Sequence, residues 1–202
     1  IKGYAGFFGS LFEEHSENRQ AAQMMVEEID RVDRVISELL EFARPADLQL
    51  RPTQPEPLIR HSLGIVRHEA RSAGIRITER IDTPLPQVLL DPDRFTQVLL
   101  NLYLNAIQAM KHGGDLTVDV RVTQDAMVFA VSDTGDGIAP EDLASVFNPY
   151  FTTKKNGTGL GLAIAHKIIE SHNGTIRVDS IKGKGTTFYI SIPLEHRQKE
   201  AS

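Results

Sequence analysis

Apolar positions follow one rhythm before Pro45 and another after it. At the N-terminal end Ile1, Tyr4, Phe8, Leu11 and Phe12 recur largely at steps of three and four, one face of a helix reaching about residue 13. Polar residues 13–20 make a turn, with Ser16 placed to cap a second helix. From there Ala22, Met25, Ile29, Val32, Ile36, Leu39 and Ala43 step by 3, 4, 3, 4, 3 and 4, a heptad seam. Glu27, Glu28, Asp30, Arg31, Asp33 and Arg34 take the wet faces, while Val35, Leu40 and Phe42 widen the stripe beyond a two-stranded seam. Two such helices form a hairpin whose own core is too small to hold it. Pairing into a dimeric four-helix bundle is the expected remedy, and packing of the hairpin on its own globular domain is the plainer alternative.

Pro45 ends the long helix, and Pro52, Pro55 and Pro57 mark a connector with a short strand over 48–53. Residues 46–195 then read as a mixed α/β domain. The pattern predicts a helix over about 57–72, strands at 75–81 and 88–90, and a long helix from Asp91 to about Lys111, stopped by His112-Gly113-Gly114. Alternating strands follow at 116–122 and 127–132, then an irregular stretch over 133–157. A helix over about 159–172 stops at Asn173-Gly174, and strands 175–179 and 186–192 close the domain around Gly183-Lys184-Gly185. Residues 196–202 form a tail. The expected class is α+β: a helical hairpin followed by a two-layer α/β sandwich.

Composition narrows the functions available. The 202 residues are 41% hydrophobic and 24% charged, values of a chain with a real core, and no run of 18 apolar residues offers a membrane span. Without cysteine there is no disulfide framework, thiol nucleophile or cysteine zinc site. Twenty-two basic against 27 acidic residues, with no block of like charge, disfavours a dedicated nucleic-acid binder.

Four stretches carry chemistry. Asn101 and Asn105, at i and i+4 on a nearly all-apolar helix, point the same way. They either cap neighbouring backbone or offer carboxamide oxygens to a hard cation such as Mg2+. Asp133-Thr134-Gly135-Asp136-Gly137-Ile138 follows a strand; its glycines permit close approach to a flat ligand and its acid can accept from an exocyclic amine, although the string is also simply a turn. Lys154-Lys155-Asn156-Gly157-Thr158-Gly159-Leu160-Gly161-Leu162 enters a helix whose start favours phosphate, or is a glycine hinge. It is neither a P-loop nor the dinucleotide fingerprint. Gly183-Lys184-Gly185-Thr186-Thr187 is by itself a hairpin turn.

In this order and spacing the stretches resemble the ATP-binding domain of the GHKL superfamily (gyrase, Hsp90, histidine kinases, MutL), and within it the two-component sensor histidine kinases. Residues 91–106 look like the family's N box, 133–137 its G1 box, 147–151 its F box, 157–161 its G2 box and 183–186 its G3 box. Leu39-Leu40-Glu41-Phe42-Ala43-Arg44-Pro45 is similar to the end of the second dimerisation helix, so the resemblance covers residues 1–193. It implies ATP and Mg2+ as cofactors and a GHKL-type sandwich over 46–195 with a lid at 134–157. Asp133 is implied to bind the adenine amino group, with Thr186 or Thr187 nearby through water. Asn105 and Asn101 would hold the metal, and Gly157, Thr158, Gly159, Leu160 and Gly161 would wrap the phosphates by backbone. Gly135, Gly137, Ile138 and Leu162 belong to the same nucleotide-binding set; Phe147 and Phe151 would anchor the lid. Asn101, Asn105 and Lys154 form the implied catalytic set, Lys154 meeting phosphate.

The implied activity is transfer of the γ-phosphoryl from Mg-ATP to a histidine of the dimerisation domain, for relay to a response-regulator aspartate. A GHKL-type ATPase and a non-catalytic nucleotide-binding module are the alternatives; hydrolysing members of the superfamily place a Glu where Asn101 stands. Tyr103-Leu104-Asn105-Ala106-Ile107-Gln108-Ala109-Met110 and Pro149-Tyr150-Phe151-Thr152-Thr153-Lys154 resemble the nitrogen-regulation and zinc-resistance sensor type, although many related kinases are basic where Gln108 sits. Implied partners are a second copy through residues 1–45 and a receiver domain, of a nitrogen-regulation-type transcriptional activator, with no direct nucleic-acid contact.

By the same alignment the phosphoacceptor box lies upstream of Ile1, so the hairpin is expected to be partial, and the chain to be the cytoplasmic portion of an inner-membrane sensor. His68-Glu69-Ala70-Arg71 mimics the box start but lacks the following Asn-Pro and falls on the first helix of the ATP domain; His15 lacks the box too. His61 and His68 have no ligand partners in the sequence, so no metal site is expected there.

Overall fold

The structure, a computed structural model, describes residues 2–12, 16–43, 47–154 and 157–194. The chain divides into two compact units, Ile1–Arg44 and Pro45–Ser202. In the first, α1 (Lys2–Ser10) packs against α2 (Glu17–Ala43). Ser16 caps α2: its hydroxyl accepts from Arg19 N at 3.3 Å and its carbonyl from Gln20 N at 3.1 Å. Of the heptad seam, Ala22 is buried, whereas Met25, Val32, Ile36 and Leu39 stay exposed in the single chain.

The second unit is a five-stranded sheet with helices on one face. Strand order is β2 (Ile75–Ile81), β4 (Gly114–Val122), β5 (Ala126–Asp133), β7 (Gly185–Pro193), β6 (Thr175–Ile181). β2 runs parallel to β4, and the other neighbours are antiparallel. A separate two-stranded ribbon pairs β1 (Arg51–Thr53) with β3 (Val88–Leu90). The alternation visible in the sequence is the pleat itself. Leu116, Val118 and Val120 of β4, Met127, Phe129 and Val131 of β5, and Phe188, Ile190 and Ile192 of β7 are buried. Against the sheet, α3 (Pro55–Ser72) contacts β2, α4 (Pro92–Ala109) contacts β4 and β5, and α5 (Gly161–Ser171) contacts β6, with Phe95 of α4 and Phe129 at 4.9 Å between ring centroids. At roughly 25 cal/mol per Å2 of apolar area, this shared core is what holds the helices to the sheet.

Element ends differ from the pattern where backbone chemistry overrides periodicity. α3 starts at Pro55, two residues early, because Pro55 and Pro57 both fit a first turn that needs no N–H. The first strand shortens to Arg51–Thr53. α4 stops at Ala109 rather than near Lys111, since Met110 leaves the helical region and Gly113 adopts φ 81°. α5 starts at Gly161 rather than Gly159, whose φ of 71° is incompatible with a right-handed helix. The strands around the last turn extend to Ile181 and begin at Gly185. The tail at 196–202, His15, Lys155 and Asn156 lie outside the described residues.

Candidate functional site

The polar residues singled out in the sequence converge at one end of the second unit. Asp133 closes β5 and pairs in register with Thr186 at the start of β7. It is buried, 9% exposed, and its carboxylate accepts from Gly135 N at 2.8 Å and from the Thr186 N–H. Burial pushes this carboxyl above the ordinary aspartate range, and the two N–H bonds and the charge of Lys154 pull the other way. The group is therefore an acceptor held in a dry setting, with capacity for a further donor.

The glycines after Asp133 fit by necessity. A β-carbon at Gly135 would strike Ala109 O, one at Gly137 would strike Ile181 O, and one at Gly185 would strike Asp133 O. The backbone there is clamped: Asp136 N donates to Ala109 O at 3.0 Å and Gly183 N to Asp136 O at 2.8 Å. Ser180, which belongs to none of the sequence motifs, joins three segments. Its hydroxyl accepts from Ile138 N at 2.8 Å, donates to Gly185 O at 2.9 Å, and lies 2.9 Å from Thr186 Oγ1. Thr186 is buried beside Asp133, whereas Thr187, one residue on, faces the other side of the sheet and donates to Ser132 Oγ at 2.9 Å. Of the two threonines only Thr186 joins the Asp133 cluster. Asp136 is exposed, and its ion pair with Lys111 at 2.9 Å lowers its carboxyl, an anchor that no sequence pattern signals.

Asn101 and Asn105 do lie on one side of α4 but make different bonds. Asn101 Nδ2 donates to Gly161 O at 2.9 Å, tying α4 to the first residue of α5. Asn105 Oδ1 accepts from Lys154 Nζ at 2.7 Å, and Gln108 Oε1 accepts from the same ammonium at 2.7 Å. Part of Lys154 is exposed, yet its ammonium end is sufficiently desolvated to bring its pKa down to about 8, against the attraction of Asp133. Gln108 is thus a site residue that the resemblance could not place, because its position departs from the family pattern.

The glycine loop folds onto the segment before it. Tyr150, at φ 67°, donates its N–H to Gly159 O at 3.0 Å, and a β-carbon on Gly159 would strike Tyr150. Thr158 Oγ1 accepts from Leu160 N at 3.3 Å, and Leu160 is buried. Gly161 then opens α5 with Leu162 next, so the N–H groups of that first turn have no partner within the helix. Phe147 lies against His166 and Phe188 at 5.2 and 6.2 Å between ring centroids, holding 134–154 to the body together with buried Val146.

The donor set suits a nucleotide and a hard cation. Asn105 and Gln108 already present two carboxamide oxygens to a positive charge, the ammonium of Lys154, and such oxygens also suit Mg2+. Among the described residues no group of three or more His, Cys, Asp or Glu could hold a metal. A cation here would thus take its ligands from amides, phosphate oxygens and water. His68 and His61 stand exposed on α3.

Residues 90–196 match the family described as histidine kinase-, DNA gyrase B-, and HSP90-like ATPase. The sensor histidine kinase ZraS of Salmonella typhi is 46% identical over 201 residues, 99% of this chain and 43% of its own length. ZraS of Escherichia coli K12 is 46% identical over 200 residues, with the same shares covered. The chain thus spans less than half the length of these curated relatives. Among solved structures, full-length ShkA in complex with AMPPNP has a TM-score of 0.75 at 30% identity, over 94% of this chain and 42% of that one. The nucleotide-free catalytic domain of histidine kinase ThkA has a TM-score of 0.67 at 32% identity, over 72% of this chain and 96% of that one. ThkA in complex with the response regulator TrrA has a TM-score of 0.77 at 26% identity, over 95% and 55%. With Asp133, the two asparagines and the glycine loop gathered at one end of this sheet, the chain belongs to the histidine kinase-, gyrase B- and HSP90-like ATPases, as the ATP-binding catalytic core of a sensor histidine kinase.

Proposed function

We propose that this chain binds Mg-ATP at the Asp133–Asn105 end of its sheet and directs the γ-phosphoryl to a histidine of the dimerisation helices, for relay to a response-regulator aspartate. The observation that carries the reading is the pairing of a buried acceptor, Asp133, with a cationic cluster, Lys154 on Asn105 and Gln108, across one site. Asp133 takes the exocyclic amine of adenine, with Thr186 beside it. The α5 start and the glycine loop take phosphate oxygens, and Lys154 exchanges its amide oxygens for phosphate. Asn105, with Asn101 as its neighbour, holds the Mg2+, which when bound supplies charge neutralisation on the phosphates. Phosphoryl transfer of this kind is mostly positioning and charge stabilisation.

Hydrolysis is the weaker reading. Asn101 donates through Nδ2 to Gly161 O, and an amide cannot take a proton from water. Two features support assembly with partners: the exposed seam on α2, which suits pairing of two copies, and the likeness to a kinase solved with its response regulator. On this reading the regulator is a transcriptional activator of the nitrogen-regulation type, and the parent sensor is anchored in the inner membrane. Calorimetry of the chain with Mg-ATP tests the site: Asp133→Asn abolishes measurable binding, and unchanged affinity in that variant overturns the adenine assignment.

A further inference from the structure

Polar bonds join α4 and α5 near the nucleotide site and also at the opposite end of the pair. At the near place Asn101 Nδ2 donates to Gly161 O. At the far place His172, 5% exposed at the end of α5, accepts from Asp91 N through Nε2 at 3.0 Å, while its Nδ1 lies 2.8 Å from Ile168 O. A carbonyl can only accept, so Nδ1 carries the proton and Nε2 is the acceptor: one neutral tautomer satisfies both bonds. Asp91 is itself a hub, 6% exposed. Its carboxylate caps α4 through Asp93 N and Arg94 N, each at 3.1 Å, and holds the segment before β1 through Gln49 N at 2.9 Å.

The two joints match in span. From Asp91 to Asn101 is ten residues of α4 and from Gly161 to His172 eleven of α5, so each helix runs roughly 15 Å between its ties at 1.5 Å per residue. Between the ties the buried side chains are apolar: Phe95, Val98 and Leu99 on α4, Ile164, Ile168 and Ile169 on α5. Apolar packing is non-directional, whereas a hydrogen bond also demands a donor–acceptor angle, so the polar ties add direction to the packed contact. The register that sets the α4 amides opposite the glycine loop is therefore pinned directionally at both ends.

We propose that His172 is a positioning residue for the nucleotide site, holding the α4–α5 register from the end remote from the phosphates through the backbone N–H of Asp91. The proposal rests on the reading of the site given above. His172 itself makes no contact with nucleotide.

The test uses the full chain and AMPPNP, with calorimetry in EDTA and in Mg2+. Binding by the wild-type chain tests the site reading itself; the variants then test His172 separately. His172→Phe keeps the ring against Phe95 but removes the acceptor. It should leave affinity in EDTA within about twofold and remove about tenfold of the gain conferred by Mg2+, the cost of misplacing groups that must converge. His172→Gln, whose side-chain carbonyl can still accept from Asp91 N, should recover part of that gain. Parallel loss in EDTA and Mg2+, or full retention of the Mg2+ gain in His172→Phe, overturns the proposal. Should His172→Phe not fold, two measurements on the wild-type chain decide. Nitrogen NMR should show the Nδ1–H tautomer of His172, and the Asp91 amide should exchange more slowly with Mg-AMPPNP bound. An Nε2–H tautomer, or exchange at Asp91 indifferent to nucleotide, overturns it.

Discussion

Asp133 and Lys154 respond to their surroundings in opposite ways, and with the roles proposed for them nucleotide binding should be pH-dependent at both ends. Burial raises the carboxyl of Asp133, so protonation, which removes the acceptor for an amine, begins at a pH above that of an ordinary aspartate. Affinity for Mg-AMPPNP should fall on acidification from that higher pH. An acid limb no higher than an exposed carboxylate would give removes the role of burial. Lys154 titrates near 8 in the folded chain against 10.5 for an unperturbed lysine. Between those values the unfolded chain binds more protons, so this group's contribution to stability rises with pH through that window. The phosphate contact proposed for Lys154 would run the other way, since it needs the ammonium, and affinity should decline as pH passes about 8. Calorimetry across pH 5–9 on the wild type and on Lys154→Met separates the limbs: the basic limb should vanish in the variant. Asp133 and Lys154 are legible from residue type and order, whereas Thr186 over Thr187 is not, because the pleat decides which of two adjacent hydroxyls faces the site.

At the scale of elements, α4 shows how a helix can be read correctly in its face and incompletely in its contacts. Asp91 and Pro92 announce its start in the sequence, and the cap is as expected. Tyr103 opens a stretch that carries the sub-family resemblance, but nothing in the sequence marks its hydroxyl as fully buried on the α3 side, where it makes no hydrogen bond among the described residues. Ser62 is its polar neighbour; that hydroxyl donates to Ile59 O at 2.9 Å and keeps lone pairs free to accept, yet it is not placed to bond the phenol. Burial raises the Tyr103 phenol well above its usual value, with Ser62 opposing. Tyr103→Phe should leave stability unchanged or raise it by up to ~1 kcal/mol, measured by urea denaturation, because an unpaired buried hydroxyl costs more than it returns. A clear loss would mean that a bound water pairs the group. Such a defect cannot be read from periodicity, since it depends on which groups a neighbouring helix brings within hydrogen-bond reach.

For the whole molecule, the hairpin leaves Met25, Val32, Ile36 and Leu39 of α2 in water although they form one heptad row. Burying such a row is worth on the order of 1.5–3 kcal/mol per large side chain, enough to drive association of two copies. Sedimentation should show a dimer, and Ile36→Asp should shift it toward monomer while AMPPNP affinity is retained. A clean monomer at high concentration for the wild-type chain removes the pairing. By itself the amino-acid sequence determined the elements, the break near Pro45, the open seam and the identities of the acid, amides and glycines. Each of these depends on local periodicity, capping or backbone freedom, which residues a few positions apart impose on one another. Only the tertiary structure decided that Thr186 joins Asp133, that Lys154 rests on Asn105 and Gln108, and that His172 answers Asp91 across 81 positions. Those pairings come from β5 lying beside β7, the loop that carries Lys154 reaching α4, and α4 lying beside α5, long-range neighbours chosen by shared burial rather than by any local signal.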